Sequence, residues 1–245
     1  MLKKEKIKEL EEKIGYEFKK KELIWQALTH SSFSNEQKIN KYKNYERLEF
    51  LGDAVLELLS SQFFFETYPD MPEGELTKLR SSMVCELALA YCARDISLGD
   101  YLLLGKGEEI TGGRTRDSII SDVMEATIGA IYLDSGIEEA RAFIGRFILS
   151  DLEHKQLFYD AKTILQEEIQ KENGGVLRYE LVREEGPEHD KTFVVEVMVG
   201  DRKAGRGNGH SKKAAEQHAA YEALLRRKTV SARKKLTGAD GIPCE

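Results

Sequence analysis

Hydrophobic positions along the chain follow two periods, and the change falls near residue 160. Before it, apolar residues recur at helical spacing. Leu2, Ile7, Leu10 and Ile14 mark one amphipathic helix over about 3–13, and Leu23, Ile24, Ala27 and Leu28 a second over 20–30. Residues 33–44 are polar and read as loop. From Glu46 to Leu59 the pattern is apolar in most directions, through Leu48, Phe50, Leu51, Ala54, Val55, Leu58 and Leu59. A helix of that kind is normally buried. Pro69 and Pro72 break the chain, and a further helix is predicted from about Leu76 to Asp95. The stretch 98–116, punctuated by Gly105, Gly107, Gly112 and Gly113, reads as a flexible connection bearing Lys106, Arg114 and Arg116. It lacks the Gly-Lys-Ser/Thr ending of a phosphate loop. A nearly all-apolar helix follows over about 117–133, and helices continue to about Phe158.

Beyond Ala161 the texture changes. A helix over 162–172 carries Thr163, Gln166, Glu167 and Gln170 on one side. Residues 176–183 (Leu177, Tyr179, Leu181) and 191–199 (Phe193, Val195, Val197, Val199) alternate at period two and read as strands. Gly200-Asp201 turns into a short third strand through Ala204. Gly205 to Gly209 then leads into an alanine-rich helix over 212–228. The predicted fold class is α+β in two domains. An all-α unit occupies 1–158 and a small α-β-β-β-α unit occupies 161–229, with 230–245 as a flexible tail.

Two of the apolar helices carry acids where acids are costly. Glu46, Glu49, Asp53 and Glu57 fall within an arc of about 80° at roughly 100° per residue. Crowded carboxylates on a buried helix resist ionisation unless a cation neutralises them. That helix alone leaves open a face simply turned to water. Asp122 and Glu125 lie three apart on the second apolar helix, hence on one face, with Gly129 on the same side. Two such helices in one domain point to a shared site of oxygen ligands for a hard divalent cation, Mg²⁺ or Mn²⁺. Gly52 and Gly129 would let a partner backbone or a ligand come close. His30 reads as a structural histidine, since the chain has no Gly-x-Ser-x-Gly elbow to pair with it.

Composition narrows the class. Charged residues make up 33% of the chain, and no apolar run nears the ~18 residues of a membrane span. The Lys/Glu-rich N-terminus lacks the apolar core of a signal peptide, so a cytoplasmic protein is expected. Cys85, Cys92 and Cys244 form neither a disulfide framework nor a zinc pattern. Charge is unevenly spread: residues 1–160 carry 21 Lys+Arg against 29 Asp+Glu, and residues 161–245 carry 16 against 14. Residues 202–235 hold 11 basic residues against only Glu216 and Glu222, the footprint of a polyanion-binding face.

The motifs resemble a known family. Glu46-Arg-Leu-Glu-Phe-Leu-Gly-Asp-Ala54 resembles the signature of ribonuclease III. Ala27-Leu-Thr-His-Ser-Ser, Glu73-Gly-Glu-Leu-Thr and Asp122-x-x-Glu125 fit the same pattern. The second half is similar to a double-stranded-RNA-binding domain, through Thr163-x-Leu-Gln-Glu-x-x-Gln170, Gly186-Pro-x-His-Asp and Lys212-Lys-Ala-Ala-Glu-Gln. The order is that of bacterial ribonuclease III, over about 3–229. One departure is Tyr45, where many relatives have asparagine; Asn44 is displaced by one position.

The resemblance implies roles at the matching residues. Glu49, Asp53, Asp122 and Glu125 would bind metal, with Glu46 and Glu73 as further acids of the cleavage cleft. A homodimer is implied, with Phe50 at its contact and two sites cutting opposite strands to leave short 3′ overhangs. Precursors of ribosomal and other structured RNAs are the implied substrates. No organic cofactor is implied.

The residues support a matching chemistry. A carboxylate-held divalent ion activates water and relieves charge on the phosphate, giving 5′-phosphate and 3′-hydroxyl ends. Thr163, Gln166, Glu167 and Gln170 suit 2′-hydroxyls in the shallow minor groove of A-form RNA, and His189 would reach the next minor groove. Ser211, Lys212 and Lys213 open a helix whose N-terminus already favours phosphate. A regulator with a dead catalytic half would tolerate loss of the acidic set, and a small-nucleotide phosphohydrolase needs no duplex-length basic face.

Overall fold

The structure is a computed structural model describing residues 4–38, 43–172, 175–186, 191–209 and 211–237. The expected RNA contact His189 and the tail beyond Thr237 lie outside these residues. The chain divides into two compact units, Met1–Leu152 and Glu153–Glu245.

The first unit is helical. Its elements are α1 (Lys4–Ile14), α2 (Lys21–Ala27), α3 (Ser31–Glu36), α4 (Glu46–Thr67), α5 (Glu73–Val84), α6 (Glu86–Asp95), α7 (Lys106–Ile110), α8 (Asp117–Ser135) and α9 (Ile137–Phe147). The core lies where α4, α6, α9 and α2 pack on α8. Ile119, Ile120, Val123, Met124, Ile128 and Ile131 of α8 meet Leu48, Val55, Leu56, Leu59 and Phe64 of α4 in that buried layer.

Three local readings change. The polar stretch after residue 30 begins with a helix, α3, because His30 Nδ1 accepts the backbone N–H of Ser32 and caps it. The single helix expected over 76–95 is two, broken where Cys85 takes an extended conformation (ψ 161°). No proline or glycine marks that break, so nothing local reveals it. The stretch 98–116 is pinned: Arg114 pairs with Glu109 and donates to the carbonyls of Gly99 and Leu102. Arg116 pairs with Glu108. Both arginines therefore hold the connection together.

The second unit contains α10 (Leu152–Tyr159), α11 (Ala161–Lys171), β1 (Leu177–Glu185), β2 (Thr192–Val199), β3 (Arg202–Gly209) and α12 (Lys212–Thr237). Only the first residue of α10 falls on the other side of the division. Its Leu157 joins the core of this unit, and the Phe158 carbonyl accepts Gln217 Nε2 at 2.7 Å. The boundary thus precedes the one expected near 158–161. The sheet is antiparallel in the order β1-β2-β3, pairing Leu177 with Val199 and Phe193 with Gly209. A bulge between Leu181 and Arg183 breaks the alternation of β1, and Leu181 stays exposed instead of continuing the Leu177–Tyr179 face.

The third strand is longer than expected, and its glycines explain why. A Cβ on Gly205 would lie 2.3 Å from the Ala219 carbonyl oxygen, and one on Gly207 would lie 2.3 Å from the Ala219 nitrogen. The run beyond Ala204 continues the strand, with glycine at 205, 207 and 209 so that the alanine face of α12 can lie on it. Glycine in a strand often marks such an approach. Helix α12 also outlasts its expected end. The stretch from Thr229 to Thr237 holds no proline or glycine to break it.

Candidate active site and RNA-binding face

Helices α4 and α8 cross at two glycines. A Cβ on Gly52 would stand 1.8 Å from the Glu125 carbonyl oxygen, and one on Gly129 would stand 2.2 Å from the Leu48 carbonyl oxygen. What comes close is the facing backbone. The contact brings Glu49, on the turn before Gly52, against Asp122 and Glu125. One carboxylate oxygen from each of these three residues lies within 4.8 Å of the others. All three are partly buried.

Asp53, expected as the fourth ligand, is exposed beside this group and outside the three-residue cluster. Its charge nevertheless acts on both Glu49 and Glu125. Glu46 is exposed on the first turn of α4. Glu73 opens α5, accepts a hydrogen bond from Thr77, and lines a groove with Leu58, Phe65 and Arg80. Glu57, with no role implied, pairs with Arg80 at 2.8 Å and ties α4 to α5.

Burial and mutual repulsion both act on these carboxyls. Burial, then repulsion from Asp122, Glu46 and Asp53, raises Glu49 to about 7. Burial, then repulsion led by Asp53 and Asp122, raises Glu125 to about 8. Burial also raises Asp122, against the opposing hydrogen bond from Tyr45. The Tyr45 hydroxyl is itself held well above its usual range by burial and the nearby acids. The Tyr45–Asp122 contact is the feature of the site that sequence reasoning missed. Its signal was the departure from asparagine at that position. The displaced Asn44 keeps a capping role, since its Oδ1 accepts the Glu46 N–H at 3.3 Å.

A carboxyl raised in the folded state binds its proton more tightly there than in the unfolded chain, so ionising it costs stability. Without metal, the protein should therefore lose stability as pH rises from about 4.5 through 7 and 8, the range set by Glu49 and Glu125. Melting temperatures measured with chelator at pH 5.5 and 8.5 should show that fall, and Mg²⁺ or Mn²⁺ should reverse it at the higher pH. A pH-independent melt would contradict the coupling.

In the second unit, Thr163, Gln166, Glu167 and Gln170 are exposed along one face of α11, while Ala161, Leu165 and Ile169 face the core. Ser211 caps α12 by accepting the Ala214 N–H at 3.1 Å. Lys212 and Lys213 are exposed at the same helix end. The Lys212 ammonium lies 3.5 Å from Glu184 and over the Phe193 ring. Lys213 has no acidic partner among the described residues. Lys213→Ala should weaken duplex RNA binding alike for unrelated sequences and reduce the salt slope by about one phosphate's worth. Binding measured across a salt series tests this, and a sequence-selective loss would contradict it.

Residues 20–152 match the Ribonuclease-III-like family, and residues 161–226 match the double-stranded RNA binding motif. The chain is 49% identical over 227 residues to Ribonuclease 3 of Geobacillus sp. (strain WCH70), covering 92% of each chain. It is 51% identical over 218 residues to Ribonuclease 3 of Caldanaerobacter subterraneus subsp. tengcongensis, covering 88% of this chain and 95% of that one. The first unit resembles the solved nuclease domain of ribonuclease III from Campylobacter jejuni, at 45% identity and a TM-score of 0.54. That match covers 58% of this chain and 95% of the other. Fold and motifs together define a helical nuclease domain joined to a double-stranded-RNA-binding domain. The chain belongs to the ribonuclease III family.

Proposed function

We propose that this protein is a Mg²⁺-dependent endoribonuclease that hydrolyses double-stranded RNA, with Mn²⁺ as a substitute ion. The observation that carries this reading is the convergence of Glu49, Asp122 and Glu125 at the α4–α8 crossing. Oxygen donors alone suit a hard cation that keeps several of its waters. A divalent ion bound there activates water and relieves charge on the scissile phosphate. The chain's own residues do the rest. Glu49, Asp122 and Glu125 hold the site, while exposed Asp53, Glu46 and Glu73 supply the further acids proposed for the cleft. Thr163, Gln166, Glu167 and Gln170, with His189 between β1 and β2 in sequence, engage the minor groove, and Ser211, Lys212 and Lys213 engage phosphates. Such contacts follow duplex shape rather than sequence.

Two active sites are needed to cut both strands. Phe50, Leu58 and Phe65 are 81%, 61% and 73% exposed on one stripe of α4, and the groove beside Phe65 has a volume of about 380 Å³. Exposed apolar side chains clustered like this fit a protein interface, and a homodimer through Phe50 is the proposed use. The proposed setting is the cytoplasm, with ribosomal and other structured RNA precursors as substrates. No described helix is long and apolar enough to cross a membrane.

The test is incubation of the protein with a long RNA duplex, with and without Mg²⁺. The expected products are short duplexes bearing 5′-phosphates, 3′-hydroxyls and short 3′ overhangs, formed only with metal. Metal-independent cleavage, or 3′-phosphate ends, would refute the proposal.

A further inference from the structure

Asp122 shares the carboxylate cluster with Glu49 and Glu125, and its Oδ2 also accepts a hydrogen bond from the Tyr45 hydroxyl at 3.2 Å. Tyr45 is held from several sides. Its N–H donates to the Thr29 carbonyl at 2.9 Å, and its carbonyl accepts the N–H groups of Leu48 and Glu49 as α4 begins. Its ring lies 5.6 Å from that of His30, and the residue is only 4% exposed. His30 is fixed in turn, by the Ser32 N–H on Nδ1 and by its own N–H to the Leu103 carbonyl. The tyrosine is thus a rigid post standing on the loop before α4. It reaches across to α8.

An aspartate is free to turn about its last torsion, because the well there is broad and two-fold. A donor fixed on Oδ2 removes that freedom and holds in one orientation the carboxylate that shares the cluster with Glu49 and Glu125. Outer partners of this kind orient metal ligands and usually matter about 10–100-fold in metal affinity or activity.

We propose that Tyr45 is a positioning residue that presents Asp122 to the divalent cation, through its rigid seat against His30 and its hydrogen bond to Oδ2. The inference rests on the metal-site reading above. It assigns a function to Tyr45, a position at which this chain departs from the family signature. The His30 ring, seated against Tyr45, supports the site through it.

The test is calorimetric titration of Mn²⁺ into the full-length protein without RNA, for wild type, Tyr45→Phe and Asp122→Asn. Phenylalanine keeps the buried ring and loses only the hydroxyl, so melting of that variant should stay close to wild type. The expected result for Tyr45→Phe is Mn²⁺ affinity about 10- to 100-fold weaker. Its duplex cleavage should need correspondingly more Mg²⁺ and recover at saturation to within about threefold of wild type, as metal concentration replaces lost orientation. Wild-type Mn²⁺ affinity in Tyr45→Phe, beside lost binding in Asp122→Asn, would overturn the role of Tyr45 alone. Equal binding by wild type and Asp122→Asn would overturn the metal site and this inference with it. A Tyr45→Phe variant that binds Mn²⁺ normally yet cleaves slowly at every Mg²⁺ concentration would also refute it.

Discussion

Glu125→Gln should abolish cleavage of duplex RNA while leaving duplex binding nearly intact. Glutamine fills the same volume on α8 but carries no charge. Partners one shell further out already cost about 10–100-fold when lost, so losing a ligand carboxylate should cost more than about a hundredfold. The stability effect should run the opposite way. Burial and the facing acids raise Glu125 to about 8, so in metal-free protein above that pH its negative charge opposes folding. Removing the charge should raise the melting temperature there and remove part of the pH dependence. Cleavage of an end-labelled duplex, a gel-shift titration and a melt with chelator at pH 8.5 measure the three effects. Near wild-type cleavage would remove Glu125 from the site. Lost activity with lost stability would mark it as structural instead.

Gly52→Ala should damage both folding and activity. The added carbon would sit 1.8 Å from the Glu125 carbonyl oxygen and 3.0 Å from the Gly129 nitrogen. Both are backbone atoms inside helices, so no side-chain rotation relieves the clash and the helices must separate. Overpacking a core costs about 1–3 kcal/mol and occasionally more. The absence of a flexible neighbour puts this case at the upper end, a fall in melting temperature on the order of 10 °C. Activity should fall further than stability accounts for. Separating α4 from α8 widens the Glu49–Asp122–Glu125 group, and a displacement of about 1 Å can cost roughly a hundredfold. Wild-type activity in Gly52→Ala, assayed well below its melting point, would show that the crossing distance does not set the site.

The two acid pairs were legible because their chemistry conflicts with their surroundings. Carboxylates on helices apolar on most sides need an explanation, and spacings of three and four residues put each pair on one face. The sequence also showed the switch from helical period to alternation near residue 160, the exposed side of α11 and the excess of basic residues in the second half. These features are local, so neighbouring residues suffice to report them.

Other features were illegible for equally physical reasons. The break at Cys85 has no proline or glycine to announce it. Gly205 to Gly209 fell beyond the expected end of the third strand because glycine lacks β propensity, and only the alanine face of α12 explains why a strand needs it. Arg114 and Arg116 read as loose cations until Glu109 and Glu108 were found against them. By itself, the sequence determined which residues are acidic, on which helix face they sit, and that a second, basic unit follows. Tertiary structure alone decided that Glu49, Asp122 and Glu125 converge while Asp53 stands at the edge, and that Tyr45 reaches Asp122. The reason is that these relations depend on how closely two helices distant in sequence approach each other. That distance is set where Gly52 and Gly129 meet the opposing backbone.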